Sequence, residues 1–416
     1  MRLVAALLLF SFFVCPGFAQ NAPSAATVPI TLDHNRIIID VYFPMPDGTR
    51  TRVRGWVDNG NPDLWITERL AKKLGLELSG EPRPALDGQE RTAQAPREMQ
   101  IGGMTISLAG IKDAQAVERN SIGPGLSAEV NLPSTVLRNY DVLIDYPNRE
   151  FTIAAPGAAH FQGTATKVIL NSENALIQIA GNIGGEKQNL CLDVGATVSL
   201  VSSDAISKWS TGHPTWPHMT GAVGPANLWG LEDEAQWKLL CIPQMQYGGV
   251  TLTQVVAASL PQTIMAFIEK RAGGPTVGLI GADALLNYRV GLDYAHSAVY
   301  FQQVSKLNLP DMDVVGLVLR PESDGSYSVL GVADYEGKPS VPEVQKGDVL
   351  LTVQGGRATG ATMGQVWSLL SGSPGDTRTL VLERAGKQFT VSVPVRRFLN
   401  SSAAEQPSRK KAGKKK

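Results

Sequence analysis

The chain is 416 residues long, room for about three domains of ordinary size. Its 43% hydrophobic and 18% charged content excludes a globally disordered protein. Basic and acidic side chains balance at 38 each, so no dominant cationic field points to nucleic acid as a partner. The balance is a sum over unlike parts: Arg409 to Lys416 holds six basic residues and no acid. Setting these and Arg2 aside leaves 31 basic against 38 acidic side chains, a net charge of −7.

Met1 to Ala19 has a basic start at Arg2, an apolar run from Leu3 through Val14 and a small-residue exit at Gly17 and Ala19. That is the layout of a secretory signal peptide, with cleavage expected after Ala19 and export to a periplasmic or extracellular compartment. Phe12, Phe13 and Val14 are too bulky for lipid attachment at Cys15, and the run is too short to span a membrane. The mature chain then keeps Cys191 and Cys241. Two readings stay open for them: a disulfide, contributing on the order of 4 kcal/mol for a loop of that length, or two separate buried thiols.

A long internal repeat sets the architecture. Val28 to Val41 (VPITLDHNRIIIDV) and Lys167 to Ile179 (KVILNSENALIQI) are strand patterns broken by a polar turn. Each leads to a second apolar strand that ends in Asp and Gly: VRGWVDNG over 53–60 and NLCLDVG over 189–195. A capped helix follows in each copy, Glu68 to Leu74 after Thr67 and closed by Gly75, then a second running from Ser202 or Ser203 through Trp209. Met99-Gln100-Ile101-Gly102-Gly103 corresponds to Met245-Gln246-Tyr247-Gly248-Gly249, and Asn139 to Tyr146 corresponds to Asn287 to Tyr294. Asp193 follows Asp58 by 135 residues, Met245 follows Met99 by 146 and Asp293 follows Asp145 by 148. The second copy therefore carries about eleven extra residues within Ser210 to Trp237.

On these residues the chain resembles the pepsin and retropepsin superfamily of aspartic proteases, in the bacterial single-chain form where a retropepsin-like domain is duplicated and followed by a PDZ domain. The resemblance covers nearly all of 28–395. It implies a mainly β fold with one lobe over 28–157, a second over 165–305 and an α+β PDZ domain over 312–396. It also implies a catalytic pair, Asp58 and Asp193, within the loops Asp58-Asn59-Gly60 and Asp193-Val194-Gly195, with Leu279-Ile280-Gly281 packing beneath the second loop. Two carboxylates within about 3 Å share one proton, so one activates water while the other protonates the peptide carbonyl. No cofactor or metal is needed.

The sequence departs from that pattern at the residue after each Asp, where Thr or Ser braces the loops. Asn59 keeps a side chain able to hydrogen-bond across the interface; Val194 has the shape of Thr without its hydroxyl. The first copy has Asn131-Leu132-Pro133 where the second has Leu279-Ile280-Gly281. Hairpins over Ala85 to Pro96, with Gly88 at the tip, and over Gly221 to Gly230, with Trp229, are the candidate covers of a cleft.

From Val314 to Val395, Gly347 to Gly355 supplies a strand and turn and Met363 to Leu370 an amphipathic helix, as in PDZ domains. The resemblance implies peptide binding at a loop formed by Val315, Gly316, Leu317 and Val318, with an intramolecular role as the alternative. Ser401 to Lys416 is expected to be a disordered basic tail, capable of weak contact with an anionic envelope surface. The histidines His34, His160, His213, His218 and His296 stand at no metal-binding spacing, and no Gly-x-Ser-x-Gly nucleophile motif occurs. The expected partner is a polypeptide substrate or peptide ligand, and the expected state a monomer without a transmembrane span. The expected activity is that of an aspartic-type endopeptidase. A peptide binder of the same fold that does not cut, or a scaffold acting through its third domain, remains the alternative.

Overall fold

The computed structural model describes residues 23–84, 88–306 and 312–399. The expected leader over 1–19 and the basic tail over 400–416 lie outside them. The structure is mainly β, and its sheets follow the repeat.

A six-stranded antiparallel sheet joins the two copies in the order Ala25–Pro29, Glu150–Ala154, Asp141–Asp145, Tyr288–Asp293, Ala298–Gln303, Thr164–Lys167. Its central pair comes from the corresponding late segments, with Leu143 opposite Gly291 and Asp145 opposite Arg289. The outermost strands are the corresponding early segments. Val142, Ile144, Phe151 and Ile153 from one copy and Val290, Leu292, Val299 and Phe301 from the other alternate into the core, as a half-buried sheet requires. Arg289 pairs with the buried carboxylate of Asp145 across the seam.

Each copy then builds its own larger sheet. In the first, ten strands place Val130–Pro133 between Trp65–Thr67 and Arg50–Asp58. In the second, eight strands place Gly278–Ile280 between Ser199–Ser202 and Glu186–Leu192, and Ile177–Ile183 also pairs with Lys238–Tyr247, which closes the sheet on itself. The expected helices follow. Thr67 caps Glu68–Lys73 by accepting from the Leu70 amide, with Gly75 left-handed just beyond the end. Ser202 caps the second helix, which continues past Trp209 to Gly212, with the Thr211 hydroxyl donating to the Ser207 carbonyl in its last turn.

Residues 317–394 form a sheet in the order Leu317–Pro321, Tyr327–Val332, Val349–Val353, Thr377–Arg384, Lys387–Pro394, beside the helix Met363–Leu370. Thr362 and Gln365 close a reciprocal capping box at its start. Asp33 from the first copy accepts from Thr362 Oγ1 at 2.8 Å and from the Gly364 amide at 3.1 Å. The Met363 amide donates to the Gly125 carbonyl at 2.7 Å.

The stretch Gly221 to Gly230 corrects an expectation. It is a short 3₁₀ turn at Gly224–Ala226 between extended segments, not a hairpin over a cleft. Ala222, Val223, Ala226 and Leu228 share a buried cluster with Leu317, Leu319 and Trp367. The Glu234 carboxyl group accepts the amides of Leu228, Trp229 and Leu231, so the stretch turns around that side chain instead of pairing as a hairpin. Near the first candidate cover the arms Leu78–Pro84 and Gln89–Gln94 pair, so the hairpin begins before the expected start at Ala85; residues 85–87 lie outside the described set.

Candidate active site

Asp58 ends the strand Arg50–Asp58, and Asp193 follows directly on Glu186–Leu192. Each of these strands is joined in parallel by a short strand arriving from far along the chain: Leu132 lies opposite Val57, and Ile280 opposite Leu192. Asn131-Leu132-Pro133 and Leu279-Ile280-Gly281 therefore hold the same register although their chemistry differs. In the first copy the buried Asn131 accepts the Trp65 amide at 2.7 Å and donates to the Asp63 carbonyl at 3.0 Å. In the second, the Ser199 hydroxyl accepts the Gly281 amide at 3.1 Å.

The two Asp loops meet face to face. A Cβ at Gly195 would stand 2.8 Å from Cγ of Asp58, and a Cβ at Gly60 would overlap the Asp193 carboxyl group outright. Neither glycine has a left-handed backbone, so close approach of the opposing carboxylate is what requires glycine here. Asn59, with no exposed surface, spans the interface: Nδ2 donates to the Leu192 carbonyl at 2.9 Å and Oδ1 accepts the Val194 amide at 2.8 Å. Val194 is equally buried but returns no side-chain bond. The loops are thus braced from one side.

Burial and the neighbouring Asp193 charge hold the Asp58 carboxyl well above the usual carboxylate range. Burial also pushes Asp193 up, to about 6, with the Gly195 and Ala196 amides opposing the shift at 2.9 and 3.1 Å from Oδ1. The charge of Asp193 acts on Asp58, so the raised values belong to the pair rather than to either residue. One proton on two abutting carboxyl groups allows one to accept a proton from water while the other donates one.

The pair opens into a cavity of about 450 Å³ with walls of Trp56, Trp65, Ile122, Leu126, Trp229 and Phe267. Among the described residues, Asp58 and Asp193 are the only acids lining it, beside the guanidinium groups of Arg36, Arg119 and Arg271. Arg271 is tied to Asp63 and to Asn61 Oδ1 and lies 4.4 Å from the Phe267 ring centroid. Trp229, proposed from sequence as a cover, does line this space, although its amide is held by Glu234.

Asn59, Gly60, Val194, Gly195 and the segment Leu279-Ile280-Gly281 are thus assembled around Asp58 and Asp193. Val315, Gly316, Leu317 and Val318 lie apart from them, buried, where the Val315 amide donates to the Leu370 carbonyl and the Leu317 amide to the Val315 carbonyl. The outer edge of Leu317–Pro321 is occupied at Leu319, whose carbonyl accepts from Asn227 Nδ2 at 2.9 Å and whose amide donates to Asn227 Oδ1 at 3.0 Å. Cys191 and Cys241 are buried and not joined by a disulfide; in the sheet, Gly278–Ile280, Ser199–Ser202 and Val250–Leu260 lie between their strands. Sequence reasoning missed Arg36, Arg119 and Arg271; the one available signal was Arg36, a charge placed directly before the apolar run Ile37-Ile38-Ile39. No helix among the described residues is long and apolar enough to cross a membrane, and they contain no cluster of three potential metal ligands.

No family model matches the chain, and no curated protein matches it. Among solved structures it is similar to the aspartic proteinase from Irpex lacteus, with a TM-score of 0.38 and 16% sequence identity over 68% of this chain and 98% of that chain.

Proposed function

We propose that the protein is an exported aspartic-type endopeptidase in which Asp58 and Asp193 direct water onto a peptide bond. The observation that carries the reading is that the carboxyl groups of Asp58 and Asp193 each press against the glycine of the opposing loop while both line one largely apolar cavity. In the singly protonated pair, the ionised carboxylate takes a proton from a water as its oxygen attacks the carbonyl carbon. The protonated partner gives its proton to the carbonyl oxygen, forming a neutral tetrahedral diol. Collapse breaks the C–N bond with proton transfer to the departing amine and leaves a carboxylic acid and an amine. The Trp and Ile walls keep bulk water from competing for these protons.

The lobe over 28–157, the lobe over 165–305 and the PDZ-type domain over 312–396 are the units we assign. The occupied edge at Leu319 favours an intramolecular, regulatory role for the third over capture of a free peptide terminus. Val194 favours one second reading, a peptide binder that holds extended chains without cutting them, because half of the brace is missing. The test is incubation of the mature protein with an unfolded protein from acid to neutral pH, beside Asp58→Asn and Asp193→Asn. Cleavage by wild type alone supports the protease; equal behaviour of all three leaves the binder.

A further inference from the structure

Arg36 stands out from every other charged group near the carboxyl pair. It follows the tight left-handed turn at His34 and Asn35 and opens the strand Arg36–Pro44. Its side chain is almost wholly buried, 4% exposed, with the guanidinium carbon 5.8 Å from the Trp56 ring centroid. Nη2 donates to the Leu228 carbonyl at 2.8 Å, whereas Nη1 is buried without a hydrogen-bond partner. Among the described residues no carboxylate lies within ion-pair distance of it, and it lines the cavity together with Asp58 and Asp193. A buried, permanently charged guanidinium with an idle donor is costly to keep. The cost is recovered when an anion arrives, because burial strengthens the bond that Nη1 then forms.

The rest of the lining fits an anionic guest. Besides Arg36, the guanidinium groups of Arg119 and Arg271 line the cavity, the latter paired with Asp63, and most of the remaining wall is apolar. We propose that Arg36 is a specificity-determining residue that takes a carboxylate of the bound peptide on Nη1, so that the cavity selects peptides carrying an anionic group close to the bond placed over Asp58 and Asp193. The inference rests on reading the cavity as a peptide site. The carboxylate has two sources, an acidic side chain or the C-terminus of a short peptide.

The experiment measures equilibrium binding of four fluorescent hexapeptides to the full chain carrying Asp58→Asn, so that binding is read without turnover. The peptides carry a central Glu or Gln, each with a C-terminal acid or amide. The expected result is binding about tenfold tighter or better for one carboxylate-bearing arm than for its neutral isostere. That preference should collapse in Arg36→Met and shrink in Arg36→Lys, which keeps the charge but not the fork, while the fully neutral peptide binds all three alike. The arm showing the preference identifies the source. Equal binding of all four peptides to the Arg36-bearing chain, a comparison that needs no folded variant, overturns the proposal; so does a preference that survives in Arg36→Met. A carboxylate preference without cleavage by wild type would uphold the specificity and reject only hydrolysis.

Discussion

Asn59 and Val194 are joined in one direction only: the Asn59 carboxamide accepts the Val194 amide while donating to the carbonyl of Leu192, and Val194 offers no side-chain bond back. The Asn59 side chain thus ties the two loops together beside the amides that hold the Asp193 carboxyl, and catalysis by such a pair depends on placement to a fraction of an ångström. Asn59→Ala should therefore destabilise the protein by about 2 to 4 kcal/mol, since it leaves a buried amide and a buried carbonyl unpaired. Asn59→Asp keeps the acceptor for Val194 but turns the donor facing Leu192 into a second acceptor, and should cost at least as much. Denaturant unfolding at neutral pH measures both. An Asn59→Ala chain as stable as wild type would show that the loops are held elsewhere.

Gly60 and Gly195 are required for space. Gly195→Ala pushes a methyl group onto the Asp58 carboxyl and should lower cleavage about 100-fold or more through misplacement of the pair. Gly48, which has a left-handed backbone and open surroundings, supplies the contrast: Gly48→Ala strains the backbone yet leaves cleavage unchanged. Initial rates on one unfolded substrate compare the two.

The pH dependence of stability follows from the direction of the carboxyl shifts. Both members of the pair have folded values raised above 3.8, so the folded state binds more protons than the unfolded state from about pH 4 upward. The pair's contribution is complete below pH 4 and is lost as pH rises toward about 6 and beyond. Asp33, Glu234 and Asp283 are shifted the same way by burial, so the wild-type curve contains their contributions too. The difference between wild type and Asp193→Asn reports the Asp193 carboxyl and its charge on Asp58, whose own burial persists in the variant. Thermal unfolding against pH should show the variant gaining on wild type between about pH 4 and 6; parallel curves would contradict the raised values.

Asn227 links the second copy to the third sheet. Its carboxamide pairs both backbone groups of Leu319 and also donates to Glu234 at 2.6 Å, and its carbonyl accepts from the buried, neutral His34 ring at 2.9 Å. Asn227→Ala should cost about 2 kcal/mol and speed hydrogen exchange at the Leu319 amide, with little change at Leu350 in the centre of the same sheet. Unchanged exchange at Leu319 would mean that its edge is protected by something other than Asn227.

Much of this was legible in the sequence because the duplication repeats chemistry at matching places. Two Asp-x-Gly loops, two Met-Gln turns and two late Asn-Tyr segments mark the two copies, and Thr67 and the Ser202-Ser203 pair mark where their helices start through local capping. Pro133 was harder: it stands where the second copy has Gly281, yet it keeps the register because Asn131 supplies the polar contacts by another route. The Gly221 to Gly230 stretch was misread because its partners are remote. Glu234 winds it locally, and Leu319, 92 residues beyond Asn227, holds it. Arg36 looked like an ordinary strand-end charge, since nothing local reveals that Leu228 and Trp56 enclose it.

The central claim, that Asp58 and Asp193 act as one unit sharing one proton to hydrolyse peptides, is tested most directly by kcat/KM on a single peptide against pH. The measurement compares wild type, Asp58→Asn, Asp193→Asn and the double variant. The account predicts a bell-shaped wild-type profile, loss of the bell in each single variant, and a double variant no slower than either single, because either change already disables the pair. Single variants that keep the wild-type profile, or losses that multiply in the double variant, would contradict it.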